Sequence, residues 1–342
     1  MYHNDKRINL DLIRVFSMLL VVLLHVSAVS FMRFHTAWDV ALIYDSISRV
    51  SVPLFFILSG YLLLDKKESV SVFFIKRASK IFIPFLFWTV LYKLYVAYYT
   101  KSSFDFNVLN VITTPAYYHL WFLYAIIIMY LMTPALRLII SNGDSNIFKY
   151  MLISWFFVVC VYSCILQVNS VIFKHGQMLG DGHLDTYIYL SGYYFIGGVI
   201  KKTSSLIFKR RVLLNLFLFS TLLTILLTWA TSNYIGHPTE VFFVYISPLV
   251  VIASICLFLC MVSIDFNFPK RINFLISSIS SKCFCVYLVH LIVLESMARY
   301  IGFDLWGWDV IYVIPLLSLF CFSISFIISQ MVSKVPLLNR VI

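Results

Sequence analysis

The sequence predicts an all-α polytopic membrane protein of about ten transmembrane helices with both termini cytoplasmic, and three observations carry that expectation. Apolar residues fill 61% of the 342 positions and charged residues only 12%, more apolar surface than a water-facing globule can hide. Apolar runs recur about every 30 residues, each approaching the roughly 20 residues that a helix needs to cross the hydrocarbon. The period-two alternation of a membrane β-barrel is missing, and a lipid-spanning backbone has no third way to satisfy its own hydrogen bonds.

Taken in order, the elements alternate with basic flanks. The polar opening MYHNDKRIN, with Lys6 and Arg7, leads into the run 9–30 without a small-residue cleavage signature, so the first helix is expected to be retained. The second run, 48–64, reads SRVSVPLFFILSGYLLL and ends before Lys66 and Lys67. The third, 80–100, opens on IFIPFLFW behind Lys76, Arg77 and Lys80. The fourth, 118–140, begins YHLWFL and reaches Arg137, and the fifth, 149–166, starts at Lys149. The sixth, 186–200, stops at Lys201 and Lys202, while the seventh, 212–230, follows Lys209, Arg210 and Arg211. The eighth, 240–262, gives way to Lys270 and Arg271; Lys282 opens the ninth, 282–298, and the tenth, 309–331, precedes Lys334 and Arg340.

With the N-terminus inside, 19 of the 26 Lys and Arg fall on the cytoplasmic side and 5 on the other (Arg33, Arg49, Lys101, Lys174, Arg299), with Arg14 and Lys93 inside spans. Positive charge retained inside sets the orientation. The net charge of +11 is then a topology signal with some attraction to anionic membrane lipids, and no nucleic-acid partner is needed to explain it. The connections are too short to enclose a second core, so residues 1–342 form one membrane domain. The polar stretch 173–185, FKHGQMLGDGHLD, suits a surface loop or a lid over an external site. All seven cysteines lie in apolar segments, as buried small hydrophobes do, and the sequence predicts neither a metal centre nor a disulfide framework.

Inside the first run, LDLIRVFSMLLVVLLH places Arg14 and His25 eleven residues apart. At 100° per residue their directions differ by about 20°, and their Cα atoms stand about 16.5 Å apart along the axis, so both line one face. A guanidinium facing hydrocarbon costs several kcal/mol, so Arg14 must face protein, water or an anion. Two readings stand side by side: a buried pair with Asp11 across i,i+3, or the mark of an anionic ligand. His25 is likewise either a hydrogen-bonded packing residue or a titratable group serving chemistry. Other polar groups extend the track. Arg77 and Lys80, with Lys76, suit either positive-inside anchoring or phosphate recognition. His119 and Trp121 open the fourth span, where an interfacial belt accounts for both. Asp45, Arg49 and Glu240 fall on the outer side, His290 midway along the ninth span and Glu295 further out, as supporting or acceptor-site residues.

The stretches LDLIRVFSMLLVVLLH, SRVSVPLFFILSGYLLL, KRASKIFIP, YHLWFLYAIIIMYLMTP and CVYLVH together resemble the bacterial membrane acyltransferases of acyltransferase family three, whose hallmark is arginine, ten residues, histidine. Within it the chain is most similar to O-acetyltransferases that decorate surface polysaccharides, of the enterobacterial common antigen type. The resemblance implies acetyl-CoA as a cytoplasmic acyl donor, a glycan or lipid-linked oligosaccharide hydroxyl as acceptor on the outer side, and residence in the bacterial inner membrane. It implies His25 as the base, with Arg14, Arg77 and Lys80 on the donor. Family members carry Arg-x-x-Arg where this chain has Arg77 and Lys80, and lysine lacks the planar two-donor geometry of the second arginine. From the residues alone, a transporter or flippase for a lipid-linked glycan or anionic solute competes with the enzyme, because both need intramembrane charge. A homo-oligomer is left open.

Overall fold

The structure, a computed structural model, describes residues 2–34, 37–101, 107–173, 184–203, 209–301, 309–336 and 338–341. Every regular element among them is helical. The chain opens with α1 (Tyr2–Phe31), α2 (Trp38–Ser48), α3 (Ser51–Leu63) and α4 (Val70–Arg77). A π-turn over Ala78–Phe82 leads into α5 (Ile83–Thr100), followed by α6 (Val108–Thr113), a 3₁₀ turn over Tyr118–Leu120 and α7 (Trp121–Asn142). Next come α8 (Ser145–Trp155), a second π-turn at Phe156–Val161 and α9 (Tyr162–Phe173). The remainder is α10 (Leu184–Tyr189), α11 (Ser191–Thr203), α12 (Arg210–Ile235), α13 (Pro248–Val262), α14 (Lys270–Ile301), α15 (Val310–Lys334) and a 3₁₀ turn, Leu338–Arg340.

Eight helical segments among the described residues are long and apolar enough to cross a membrane, where the sequence suggested ten. The second of them begins at Trp38, ten residues before the expected 48, because α2 and α3 run together with only a slight break at Arg49 and Val50. The expected spans 186–200 and 240–262 are the two that fall short. The first is interrupted at Leu190, between α10 and α11. The second is helical only from Pro248, since a residue before proline is pushed out of the helical region and Ser247 is extended (φ −57°, ψ 133°). Both segments nevertheless run long distances. Phe243 stacks near Phe31 at the end of α1 (5.0 Å), while Val262 and Ile264 accept hydrogen bonds from Asn9 at the other end of α1. Tyr187 stacks on Trp121 at the start of α7, and Gly198 abuts Ile140 near its end.

Helix α1 is the hub, packed on α2, α3, α13, α14 and α15. The tightest pairing is α3 with α11: a Cβ on Gly197 would stand 2.0 Å from the Ile57 carbonyl oxygen, so only hydrogen lets the backbones meet. Several serine and threonine hydroxyls in the core, such as Ser17, Ser46, Thr133 and Ser254, return their hydrogen bond to a carbonyl one turn back, Ser17 to Ile13 at 2.7 Å. On the periphery, α8–α9 and α12 expose Phe157, Val158, Leu218, Phe219 and Leu222, the apolar surface that lipid would cover. The π-turn before α5 coincides with Pro84, which has no N–H to give the Lys80 carbonyl, so the ladder shifts register there.

Candidate functional site

Arg14 and His25 line the same cavity, of about 190 Å³, between α1, α3, α7 and α14. The face deduced from their spacing is thus the face turned into the bundle. At the Arg14 end, Nη1 donates to Asp11 Oδ1 (3.0 Å) and Ser280 Oγ (2.6 Å), while Ser280 and Ser277 on α14 donate to the two Asp11 oxygens (2.6 and 2.8 Å). The pairing of Arg14 with Asp11 is therefore present. Asp11 and the two serines fix it from behind, and the guanidinium still reaches the cavity.

At the other end three imidazoles gather. His25 lies with its ring centre 5.1 Å from that of His290 and 5.5 Å from Tyr118; His119 lies 5.4 Å from His290. His25 and His119 face the cavity, with His290 wholly buried behind them. His290 Nδ1 meets the Tyr287 carbonyl at 2.7 Å, and since a carbonyl only accepts, Nδ1 carries the proton and Nε2 the lone pair. That Nε2, and both His119 nitrogens, are buried without a hydrogen-bond partner among the described residues. Among those residues no three His, Cys, Asp or Glu are grouped to hold a metal ion. The cysteines are free thiols, and Cys283 lines the cavity.

A second cavity, of about 810 Å³, shares the walls Ile81, Tyr130 and Phe284 with the first. Lys80, Lys282 and Arg340 border it.

The other expected residues separate into groups. His119 is not at an interface: the 3₁₀ turn swings it inward to 2% exposure, and Tyr287 donates from its hydroxyl to the His119 carbonyl (2.7 Å). Trp121 also lines the cavity, backed by Tyr187. Asp45 and Arg49, expected on the outer side, are both buried within the segment Trp38–Leu63. Arg49 donates to Asp45 (2.6 Å) and to Glu240 (3.0 Å), over the Phe243 ring, so this triad clamps the turn before α13 to α2 and borders neither cavity. Glu240 lies in that turn rather than at a helix start. Glu295 accepts hydrogen bonds from Tyr95 (2.8 Å), Tyr117 and Arg299, off the cavity. Arg77 packs its guanidinium 5.6 Å from the Phe73 ring and borders neither cavity, leaving Lys80 as the half of that pair at a cavity wall. Most of the stretch 173–185 lies outside the described residues. Ser277, Ser280 and Tyr287 are the residues the sequence reading missed. Their spacings of three and seven put them on one face of α14, a signal present in SSISSKCFCVYLVH.

Neither a curated protein nor a solved structure matches the chain. A family model described as an acyltransferase domain matches residues 7–330, almost the whole helical bundle with both ends of its cavity, and the chain therefore belongs to acyltransferase family three, as a membrane acyltransferase.

Proposed function

We propose that the protein is an O-acetyltransferase of the bacterial inner membrane, which moves acetyl from cytoplasmic acetyl-CoA to a hydroxyl of a surface glycan or lipid-linked oligosaccharide on the outer side. One observation carries this reading: Arg14 and His25, about 16.5 Å apart along α1, line a single cavity that adjoins a wider, cation-bordered one. A small solute cannot touch both side chains, whereas a donor with a long arm can lie along the whole path. The end of the bundle that holds Arg14, Lys80, Lys282 and Arg340 is then the cytoplasmic one, with both termini beside it.

In this mechanism His25 takes the proton of the acceptor hydroxyl as that oxygen attacks the thioester carbonyl. The tetrahedral intermediate collapses with cleavage of the carbon–sulfur bond, the ester remains on the sugar, and the CoA sulfur leaves with the proton returned by His25. Atoms and charge balance without an acyl-enzyme. His290 is the positioning residue. Its Nε2, unpartnered as the two rings stand with their centres 5.1 Å apart, is available to an N–H of His25, and that contact would leave the other His25 nitrogen unprotonated toward the cavity. His119, facing the same space, is placed to donate to the oxyanion. Arg14 meets negative charge on the donor.

The test uses purified protein in liposomes with labelled acetyl-CoA and a glycan acceptor. Ester formation is expected, and His25→Ala should lower its rate at least about a hundredfold while the protein remains folded. Movement of the glycan or an anionic solute across the bilayer without acyl transfer would replace the enzyme by a transporter.

A further inference from the structure

We infer that Lys282 and Arg340, brought together by the refolded segment after α15, form with Lys80 a seat for the phosphate groups of the acyl donor. This deepens the donor reading above, and rests on it. Three separate elements deliver these cations to one cavity: the π-turn before α5, the α14 helix, and the 3₁₀ turn Leu338–Arg340. Among the described residues no Asp or Glu lines that cavity, and none of the three cations enters an ion pair. Positive-inside bias explains why basic residues lie on this side of the membrane; it does not explain why three meet around one hollow whose described lining holds no Asp or Glu. Three unpaired cations so arranged repel one another, and a bound polyanion relieves that repulsion.

The placement of Arg340 is built. Beyond Lys334 the chain turns back, with Asn339 donating to the Val335 carbonyl (2.9 Å) and Val341 to that of Leu338 (3.1 Å). The buried Trp88 indole N–H then holds the Val341 carbonyl (2.8 Å), tying the segment to α5. Asn339 and Arg340 consequently form part of the cavity wall. Ile81, Tyr130 and Phe284 border both this cavity and the one lined by Arg14 and His25, so the two adjoin across these side chains. A cationic hollow adjoining a reaction chamber across uncharged side chains suits a ligand with phosphates at one end, a thin uncharged arm, and a thioester at the other. A phosphorylated thioester has that form. The headgroup of an anionic lipid offers the same phosphate chemistry without the arm.

Protein reconstituted in nanodiscs of neutral lipid is assayed with acetyl-CoA and with S-acetyl-pantetheine, a thioester lacking phosphates; CoA binding is measured in parallel. Arg340→Ala and Lys282→Ala should each raise KM for acetyl-CoA about tenfold and weaken CoA binding alike, equivalent to about 1.4 kcal/mol, with Arg340→Lys recovering most of the loss. The kcat/KM for S-acetyl-pantetheine should move far less. Equal losses with both donors, or no loss with either, would overturn the seat. So would an effect that appears only in discs containing anionic lipid, which would make the headgroup its occupant. Should CoA bind through Arg340 and Lys282 while no acyl transfer occurs with any acceptor, the seat stands and the proposed reaction fails.

Discussion

At position 290 one ring nitrogen is committed to a backbone carbonyl and the other is buried unpaired, an arrangement that costs stability unless a neighbouring ring uses it. If His290 orients His25, removing its lone pair should lower kcat while leaving substrate binding alone. His290→Leu is expected to reduce kcat about tenfold to a hundredfold with KM nearly unchanged. His290→Gln, whose amide oxygen can accept where Nε2 did, should retain most of the rate and an unaltered acid limb of the pH–rate profile. Equal activity of the Leu variant, or equal loss in both, would leave His290 as packing only. At this scale the sequence was informative along a single helix. The 3.6-residue repeat alone set Arg14 and His25 on one face, and Asp11 one turn from Arg14. It was uninformative wherever depth depends on a turn. His119 beside Trp121 reads as an interfacial pair, and only the 3₁₀ turn reveals that the histidine is swung into the core. The burial of Asp45 and Arg49 was not legible because these polar residues of α2 pair with one another and with Glu240, nearly 200 positions away. That pairing hides their charge from lipid without leaving any local mark.

At the scale of elements, a staple joins the α3–α4 connection to α7. Arg137 donates twice to the Leu63 carbonyl (3.0 and 2.8 Å), closing the end of α3, and once to Glu68 (2.9 Å), which also accepts from Lys76 (3.3 Å). The carboxyl of Glu68 is held below the ordinary glutamate range, chiefly by the Arg137 hydrogen bond acting against burial. A lowered folded-state value means that the ionised form favours the folded chain. Its stabilisation is therefore complete above the unfolded glutamate value and is lost as pH falls through the folded one. Thermal unfolding in detergent should show the native protein melting above Glu68→Gln near neutral pH, with the gap closing on acidification. A gap independent of pH would deny the linkage. Such staples escape sequence reading because Arg137 and Glu68 are 69 positions apart, and each taken alone looks like a charge at a span end. The π-turn is similarly silent, although Pro84 marks where the ladder must give.

For the whole molecule, the number of crossings decides on which side each site lies. Eight helical segments among the described residues meet the length needed, while α13, with 15 residues, rises only about 22 Å. Yet the segment from Phe243 to Ile264 covers the depth between Phe31 and Asn9, the full apolar length of α1. The segment from Tyr187 to Gly198 likewise follows α7 from Trp121 to Ile140. Both can be short because neither faces much lipid: α11 is buried on α3, and α13 lies between α1, α3 and α12. An irregular backbone inside a membrane is tolerated when protein surrounds it. This geometry, joined to the charge pattern, predicts ten crossings rather than eight. If α11 failed to cross, the cluster Lys209, Arg210 and Arg211 would lie opposite Lys149, against the positive-inside bias. A topology reporter fused after Thr203 or after Ser263 should therefore report the cytoplasm, and one after Ile235 the outer side. Reversal at Thr203 and Ser263 would place the α11 and α13 ends across the membrane from Arg14, and would break the single path from the cationic hollow to His25 on which the proposed transfer depends.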